Sequence, residues 1–430
     1  MAGGSAPGRW GLTSSGVIKV EHDCGDEIYE GKVMINYADG GTYIGDVREG
    51  MEHGKGIRTF ANGARYEGDF LAGEFHGKGI KTHPRVGTYV GQFKWGLPHG
   101  KGMVTHADGR RYTGDWHAGT EQGRGICIFP GGYKYDGDWK EGKKHGKGTA
   151  TINREGSYIP FYAGDWKHDR MDGKGLRVYP DGNKYDGEWR DGAMNGKGTF
   201  TYHDDSWKYE GDHKNDQKHG HGIWTFTDGH SYEGAWKRDK RCGKGTWVDP
   251  NGTKYVGEWK DDDRHGHGIL TFTDGHSYEG AWKRDKRCGK GTCVYTNGTK
   301  YVGEWKDDDH HGKGTVFYAN GATYEGDWIC GKMHGTGTLT APNGTKYEGG
   351  FKDDLPHGKG TQTDHEGNSY VIWYNAGLEV EESKAEGIDL GNDRRSEALA
   401  DAEKKEAARI AYLKAERKEY LNRLRAMKKK

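Results

Sequence analysis

Long hydrophobic runs are missing from this 430-residue sequence. No stretch of about 18 consecutive apolar residues occurs, so the sequence predicts no membrane-spanning helix. The N-terminal residues 1–23 also lack the apolar centre of a signal peptide and the arginine enrichment of a transit peptide. We therefore expect a cytoplasmic protein.

Aliphatic side chains and proline are also scarce. Apolar residues of all kinds make up 32% of the chain, and proline contributes 9 residues against 76 glycines. A thick, multi-layer aliphatic core is therefore not expected. Aromatic residues reach 12%, which excludes a disordered Gly/Ser-rich chain, because such chains are poor in aromatics. The core must be built from aromatic rings and glycines.

Cysteine is too rare and too scattered for a disulfide framework or a CxxC metal site. We expect reduced thiols in a cytosolic compartment. The six cysteines are Cys24, Cys127, Cys242, Cys288, Cys293 and Cys330.

Neither sign of charge is in excess, since 65 basic residues balance 65 acidic ones. This balance gives no reason to expect a nucleic-acid partner. The charge is uneven along the chain, however. Residues 394–430 hold 13 basic and 6 acidic residues, a net charge of +7, which leaves −7 for the remainder.

A tandem repeat dominates the sequence. Residues 225–246 recur unchanged at 271–292, and a tyrosine recurs fourteen times at steps of 23 residues, apart from one step of 27 and one of 24. In every unit, glycines follow this tyrosine at two, eleven and thirteen positions, and Trp or Phe follows at four positions in twelve units. The tyrosines are Tyr43, Tyr66, Tyr89, Tyr112, Tyr135, Tyr162, Tyr185, Tyr209, Tyr232, Tyr255, Tyr278, Tyr301, Tyr324 and Tyr347.

The spacing within a unit predicts two short strands. Tyr, Gly and Trp at alternate positions share one face of a strand, and the paired glycines continue that period in the next strand. Asn-Gly or Asp-Gly between units predicts tight turns. We expect an all-β repeat: an elongated, single-layer antiparallel sheet of about 14 stacked hairpins, about 140 Å long at about 4.8 Å per strand, followed by a C-terminal α-helix. Four extra residues within 149–162 predict a bulge or a longer turn.

A single sheet has no second layer to cover its apolar face, so its own side chains must do so. We expect the large rings to lie over the glycines, burying ring and backbone together. The predicted core aromatics are Tyr66, Phe70, Tyr112, Trp116, Tyr135, Trp139, Tyr185, Trp189, Tyr232, Trp236, Tyr255, Trp259, Tyr278, Trp282, Tyr301, Trp305, Tyr324 and Trp328.

At these residues the chain resembles the MORN (membrane occupation and recognition nexus) family, whose motif is close to Y-E-G-x-W-x-x-G-x-x-H-G-x-G. Residues 66–70 and 76–79 match this motif almost fully, and the resemblance covers residues 43–367. It implies a sheet of stacked hairpins. MORN arrays occur in ciliary radial-spoke heads, cytoskeletal scaffolds and membrane junctions, and beside kinase or methyltransferase domains. The roughly 60 residues after the array are too few for either catalytic domain.

The repeated histidines raise the possibility of a metal site, but their spacing argues against it. Neighbouring units should lie about 9.6 Å apart, whereas a zinc ligand lies about 2 Å from its ion. The recurring Gly-Lys-Gly is not followed by the helix that a phosphate-binding loop needs. We therefore expect no metal, no cofactor and no enzymatic activity. The histidines are His53, His76, His99, His145, His219, His265, His311, His334 and His357.

The two ends of the chain differ from the array. We expect an irregular segment at 1–28, the array with degenerate caps at 29–377, a linker at 378–395 and a basic amphipathic helix at 396–430. The helix could lie on a membrane or dock on a protein, and its few bulky apolar residues favour protein docking. Whether it docks on its own sheet or on a partner stays open. Its predicted binding residues are Ile410, Leu413, Tyr420, Leu424 and Met427.

The function that this sequence favours is a non-catalytic scaffold for protein–protein assembly. Other proteins would bind along the sheet surface and the C-terminal helix, and a second array could pair with the first. Resemblance to array-only MORN proteins implies a cytoskeletal setting, the ciliary axoneme and its radial spokes. The alternative is a membrane-associated tether for acidic phospholipids, to which the basic stretches 236–245 and 282–291 would contribute. A solvated hairpin explains these stretches better, because neighbouring acidic residues cancel their field.

Overall fold

The computed structural model describes residues 9–12, 18–21 and 31–381. All regular elements in this part of the chain are β-strands, and no helix occurs there. The described residues divide into two compact units. The first runs to residue 201 and includes 213–216, and the second comprises 202–212 and the residues from 217 onward. Each contains seven of the fourteen repeats.

The first unit contains seventeen strands. They are β1 (Arg9–Leu12), β2 (Ile18–Glu21), β3 (Gly31–Asn36), β4 (Thr42–Arg48), β5 (Met51–Thr59), β6 (Arg65–Leu71), β7 (Glu74–His83), β8 (Gly87–Lys94), β9 (Leu97–His106), β10 (Arg111–His117), β11 (Thr120–Ile128), β12 (Tyr133–Lys140), β13 (Lys143–Arg154), β14 (Ser157–Lys167), β15 (Arg170–Val178), β16 (Lys184–Arg190) and β17 (Ala193–Thr201).

The second unit begins with a strand through which the boundary passes. Its strands are β18 (Trp207–Lys214), β19 (Gln217–Phe226), β20 (Ser231–Lys237), β21 (Lys240–Val248), β22 (Lys254–Lys260), β23 (Asp263–Thr271), β24 (Ser277–Lys283), β25 (Lys286–Val294), β26 (Lys300–Lys306), β27 (Asp309–Phe317), β28 (Thr323–Ile329), β29 (Lys332–Thr340), β30 (Lys346–Lys352), β31 (Leu355–Thr363), β32 (Ser369–Asn375) and β33 (Leu378–Glu379).

Strands that are adjacent in the chain are also adjacent in the sheet. Antiparallel pairing runs without interruption from β3 to β17 in the first unit. It runs likewise from β19 to β33 in the second. The predicted antiparallel sheet of stacked hairpins is therefore confirmed for each unit. The exception is β2, which pairs parallel with β3.

Within each unit, the repeat hairpins contain a bulge beside their paired glycines. In the hairpin β22–β23, Gly257 lies opposite Gly268, but the next pair is Glu258 with His265. The second strand therefore has two more residues than the first between these two pairs. One of them is Gly266, whose φ of +57° lies in the left-handed region that glycine adopts without strain. This bulge explains why a glycine stands eleven positions after every repeat tyrosine.

Most hairpins are joined by turns that contain an Asp-Gly or Asn-Gly dipeptide. At the turn after β23, Gly275 has φ +86°, and the side chain of Asp274 accepts a hydrogen bond from the backbone N–H of His276 at 2.9 Å. At the hairpin tip, Asp261 and Asp262 both have positive φ, of 54° and 77°. Aspartate tolerates this region better than most residues, which fits its frequency at these tips.

The two faces of each sheet differ in character. The aromatic face carries Tyr255, Trp259 and their equivalents, which are buried, whereas the open face carries residues such as Val256, which is 43% exposed. The buried side chains of each unit form one cluster on the aromatic face. The core is therefore a single layer of side chains.

The four extra residues of the fifth repeat lengthen a hairpin. Strands β13 and β14, of 12 and 11 residues, are the longest that the structure describes. Their register shifts between Ala150 and Thr151, so the insertion adds a bulge and extends both strands. The turn that joins them, at residues 155–156, stays short.

The ends of the array differ in part from the expectation. The segment 1–28, expected to be irregular, contains the paired strands β1 and β2, and the expected linker 378–395 opens with the short strand β33. The predicted helix at 396–430 lies outside the described residues, and so do its apolar positions Ile410, Leu413, Tyr420, Leu424 and Met427.

Candidate functional site

The repeat tyrosine is buried, and its hydroxyl forms hydrogen bonds with backbone carbonyl groups beside the bulge. Twelve of the fourteen are less than 2% exposed. The hydroxyl of Tyr66 donates to the carbonyl oxygen of Asp69 at 2.8 Å and approaches that of His76 at 3.2 Å. These two carbonyls flank the bulge, where the regular ladder is interrupted. The hydroxyl therefore replaces hydrogen bonds that the sheet cannot make there.

The glycine pair is required because the tyrosine ring occupies the space above it. A Cβ built on Gly268 would lie 2.5 Å from Cε2 and Cζ of Tyr255. A Cβ on Gly257 would lie 2.5 Å from both the Tyr255 hydroxyl and the Cα of Gly268. Real Cβ atoms do not approach other atoms so closely. Any side chain at either position would displace the ring or separate the strands.

The tryptophan joins each hairpin to the one before it. Trp282 packs edge-on against Tyr278 of its own hairpin at 5.1 Å between ring centroids, and against Tyr255 of the preceding hairpin at 5.5 Å. Its Nε1–H donates to the carbonyl oxygen of Gly268, also in the preceding hairpin, at 3.1 Å. Edge-to-face contacts and a buried hydrogen bond therefore connect neighbouring hairpins.

All eighteen predicted core aromatics lie on the aromatic face and are at most 8% exposed. Edge contacts of the same kind connect them along each unit. They are Tyr66, Phe70, Tyr112, Trp116, Tyr135, Trp139, Tyr185, Trp189, Tyr232, Trp236, Tyr255, Trp259, Tyr278, Trp282, Tyr301, Trp305, Tyr324 and Trp328.

Comparison with known protein families identifies this repeating unit. The family profile described as MORN repeat matches fourteen consecutive segments, which are 43–65, 66–85, 89–109, 112–132, 135–152, 162–184, 185–207, 209–231, 232–254, 255–277, 278–300, 301–323, 324–346 and 347–369. The chain belongs to the MORN-repeat family. The Tyr, Gly and Trp positions just described are thus those of a MORN unit.

The comparison with curated proteins gave no match. Two of the solved structures that match the chain resemble it only distantly. The SAS-4 (dCPAP) TCP domain of Drosophila melanogaster, in complex with a proline-rich motif of Ana2 (dSTIL), has a TM-score of 0.19 at 15% identity and covers 46% of this chain and 88% of its own. The wild-type TCP10 domain of Danio rerio CPAP has a TM-score of 0.25 at 9% identity, with 60% and 99% covered. TM-scores this low carry no functional argument.

The residue nine positions after each MORN tyrosine was missed by the sequence analysis. In three hairpins of the second unit it is an arginine stacked on the next hairpin's tryptophan. The guanidinium carbon of Arg264 lies 4.3 Å from the Trp282 ring centroid, and its Nε is 3.1 Å from Asp285. Arg241 and Arg287 repeat this arrangement. The signal common to all three hairpins was an arginine followed 21 residues later by an aspartate.

These contacts explain the basic stretches 236–245 and 282–291. Arg241 and Arg287 pair with aspartates of the next hairpin, and Lys240 and Lys286 lie 3.6 and 3.5 Å from Asp261 and Asp307. These pairs compensate two of the five cations in each stretch within the sheet. Pairs this exposed stabilise little individually, but they reduce the field available to an anionic surface.

The histidines do not form a metal centre in the described part of the chain, where no group of three or more His, Cys, Asp or Glu side chains could hold an ion. A different histidine, His310, belongs to the core. It stacks on Tyr301 at 3.6 Å, and burial lowers its pKa to about 4. This imidazole is therefore neutral at physiological pH and acts as an aromatic ring. The described residues also contain no helix with the length and apolar character needed to cross a bilayer.

Burial of the MORN tyrosines predicts alkaline unfolding. Desolvation raises the pKa of Tyr89 to about 12 and raises the pKa of Tyr255 further above its ordinary value of 10. A raised folded-state pKa stabilises the fold below about pH 10 and loses this contribution as the pH rises through the folded value. We expect the core tyrosines to ionise only together with loss of the β-sheet circular dichroism. Complete tyrosinate absorbance near pH 10 with an unchanged sheet signal would contradict their burial.

Proposed function

We propose that this MORN protein is a non-catalytic structural scaffold that assembles other proteins. The observation that carries the proposal is the way in which each unit uses its repeated side chains. Tyr255, Gly268 and Trp282 contact one another within and between hairpins, as do their equivalents. The repeated residues thus hold the sheet together, and the residues that differ between units lie on its surface. An array of this kind presents many distinct surface positions to partner chains.

The proposed setting is a cytoskeletal assembly of the ciliary axoneme, such as a radial spoke. This part of the proposal rests on resemblance to MORN proteins that consist mainly of an array. Partners would bind along the sheet surface and through the basic segment 396–430, and pairing with a second MORN array is a further possible arrangement. A tagged chain should remain with axonemes after detergent extraction.

A tether that binds acidic phospholipids is the alternative. The pairing of Arg241, Arg264 and Arg287 with aspartates argues against it, because these cations already have carboxylate partners. Flotation with vesicles that contain phosphatidylserine distinguishes the two functions. A scaffold stays unbound with and without the acidic lipid, whereas a tether floats only with it.

The C-terminal segment is predicted to direct assembly. Residues 396–430 carry the net positive charge of the C-terminus and a helical apolar pattern, and an isolated helix of that length is marginal in water without a surface to pack on. Removing 396–430 should leave the sheet intact, because the segment follows the last described strand. It should abolish or sharply weaken incorporation into the native assembly.

The measurement compares full-length and truncated chains expressed in cells that lack the endogenous protein. Circular dichroism checks that both keep the same sheet signal, and fractionation measures how much of each enters the assembly. Incorporation of the truncated chain at the full-length level would place the recognition surface on the array instead.

A further inference from the structure

The open face of the first unit carries an aliphatic row that its fold does not need. The row crosses the strands from β3 to β11. From β4 onward its positions are one and fourteen residues after a MORN tyrosine, and Met34 on β3 lies opposite Ile44. Five of its members are between 37% and 45% exposed. The aliphatic members are Met34, Ile44, Ile57, Ile80, Val90, Met103 and Ile126.

Their alignment follows from the strand register. Ile44 lies opposite Ile57, Ile80 opposite Val90, and Val90 opposite Met103 on the next strand. Such directly paired side chains lie about 4.5–5.5 Å apart, so the row is continuous from Met34 to Ile57 and again from Ile80 to Met103. Glu67 and Thr113 interrupt it, and the Glu67 carboxylate is turned to Arg65 at 2.6 Å. A row of exposed aliphatic residues of this length is unusual on a polar surface.

The second unit shows that MORN hairpins fold without this row. Its fourteenth positions are mostly threonine, as at Thr246, Thr292 and Thr338, and its first positions are often glutamate, as at Glu233 and Glu279. The same backbone therefore accepts polar residues at these sites. The aliphatic row of the first unit needs another explanation than hairpin stability.

A row of lysines runs parallel to the aliphatic row. Lys55 and Lys101 each pair with the aspartate opposite on the next strand, Asp69 and Asp115. Lys78 differs, because the residue opposite is Gln92. Among the described residues, the ammonium of Lys78 has no carboxylate partner. A positive charge is thus available in the middle of the row.

A shallow groove lies between the two rows. Its floor is the backbone of the paired glycines, among them Gly68, Gly79 and Gly91, and its volume is about 720 Å³. It extends from Lys32 on β3 to Lys101 on β9. Six strand spacings of about 4.8 Å give it a length of about 29 Å, which matches about nine residues of extended chain.

We propose that this groove binds an extended segment of a partner protein that carries aliphatic side chains and at least one carboxylate. The aliphatic side chains would cover Ile80, Val90 and Met103, and the carboxylate would pair with Lys78. The proposal deepens the scaffold function and depends on it. Charge complementarity selects this occupant over the chain's own basic segment 396–430, since lysines and a segment with a net charge of +5 (11 basic and 6 acidic residues) repel each other.

A peptide-display selection on the full-length protein tests the proposal. A library of random linear 12-residue peptides is selected on the wild-type chain and counter-selected on Ile80→Lys. Selected peptides are then synthesised, and their affinities are measured by fluorescence anisotropy. We expect them to combine Leu, Ile or Val with Asp or Glu. The absence of any peptide that depends on Ile80, or the selection of basic peptides, would overturn the proposal.

Matched variants separate the groove from general surface effects. Gln92→Asp places a carboxylate opposite Lys78, as Asp69 does opposite Lys55, and it should weaken binding about tenfold. Leu176→Lys and Ile269→Lys change exposed aliphatic residues at the equivalent position outside the groove and should leave the affinity unchanged. An unchanged affinity of Gln92→Asp, or equal losses in all variants, would contradict the assignment.

Two further comparisons identify the occupant. A peptide of this chain's acidic residues 379–393 is tested beside the selected ones, and tighter binding of that peptide would overturn the assignment to a partner protein. Incorporation of Ile80→Lys into the native assembly is also measured. Wild-type incorporation of this variant would refute the groove as a partner site without affecting the scaffold function, which retention of the tagged chain on detergent-extracted axonemes tests separately.

Discussion

Substituting Gly268 with alanine should unfold the hairpin β22–β23 locally. The added Cβ would lie 2.5 Å from two ring carbons of Tyr255, and neither the ring nor the strand has free space to move into, because Tyr255 is 1% exposed. Overpacking of a buried site costs about 1–3 kcal/mol, occasionally more. We expect a cost at the upper end of this range for Gly268→Ala, because the backbone lies beneath a ring that cannot move. Hydrogen exchange followed by mass spectrometry should show faster exchange in β21 to β24.

Gly275→Ala is the matched control in the same hairpin pair. It lies in the turn with φ +86°, and a Cβ there would meet nothing within 4 Å. It should cost only the left-handed backbone strain, about 1–2 kcal/mol, and leave the exchange of β21 and β22 unchanged. Equal effects of the two alanines would show that glycine is needed for its conformational freedom and not for the space under the ring.

Substituting Trp259 with alanine should disturb three hairpins, not one. The side chain is 6% exposed, packs edge-on against Tyr232 and Tyr255, and donates from Nε1 to the carbonyl of Gly245 at 3.3 Å. Loss of a buried tryptophan costs about 3–5 kcal/mol. The guanidinium of Arg241, 4.2 Å from the ring centroid, loses its stacking partner as well. We expect faster exchange across residues 232–301.

Trp259→Phe separates packing from the hydrogen bond. Phenylalanine occupies this position naturally at Phe70, Phe93 and Phe351, where it is 3% exposed in each case. The substitution keeps an aromatic edge contact and loses the Nε1 donor, which should cost about 1–2 kcal/mol. If Trp259→Ala left hydrogen exchange across residues 232–301 unchanged, the aromatic contacts would not be what connects the hairpins.

The sheet could be predicted from the sequence because the same strand and turn signals recur in every repeat. Tyr, Gly and Trp at alternate positions define a strand face, and Asp-Gly closes the turns, so the hairpin follows from local rules. The bulge at Gly266 did not follow from those rules, since its glycine has the same spacing from Gly268 as a regular strand would give. Nor could the alternation of residue types along the strand predict which backbone carbonyl accepts a hydrogen bond from the Tyr255 hydroxyl.

Contacts between hairpins were harder to predict, because they join residues that are far apart in the chain. The pairing of Arg264 with Asp285 spans 21 residues and depends on the register of the following hairpin. The aliphatic row on the open face was overlooked for a different reason. Ile44, Ile80 and Val90 occupy positions that are polar in many other units. A consensus sequence of the fourteen units therefore does not show an aliphatic residue at these positions.

Cross-linking mass spectrometry of the native complex tests the scaffold function most directly. The tagged full-length chain is isolated from detergent-extracted axonemes after treatment with a lysine-reactive cross-linker. We predict cross-links to other proteins from two regions: the groove lysines Lys55, Lys78 and Lys101, and the basic segment 396–430. Recovery of the chain alone, or in the detergent-soluble lipid fraction without protein cross-links, would contradict the account.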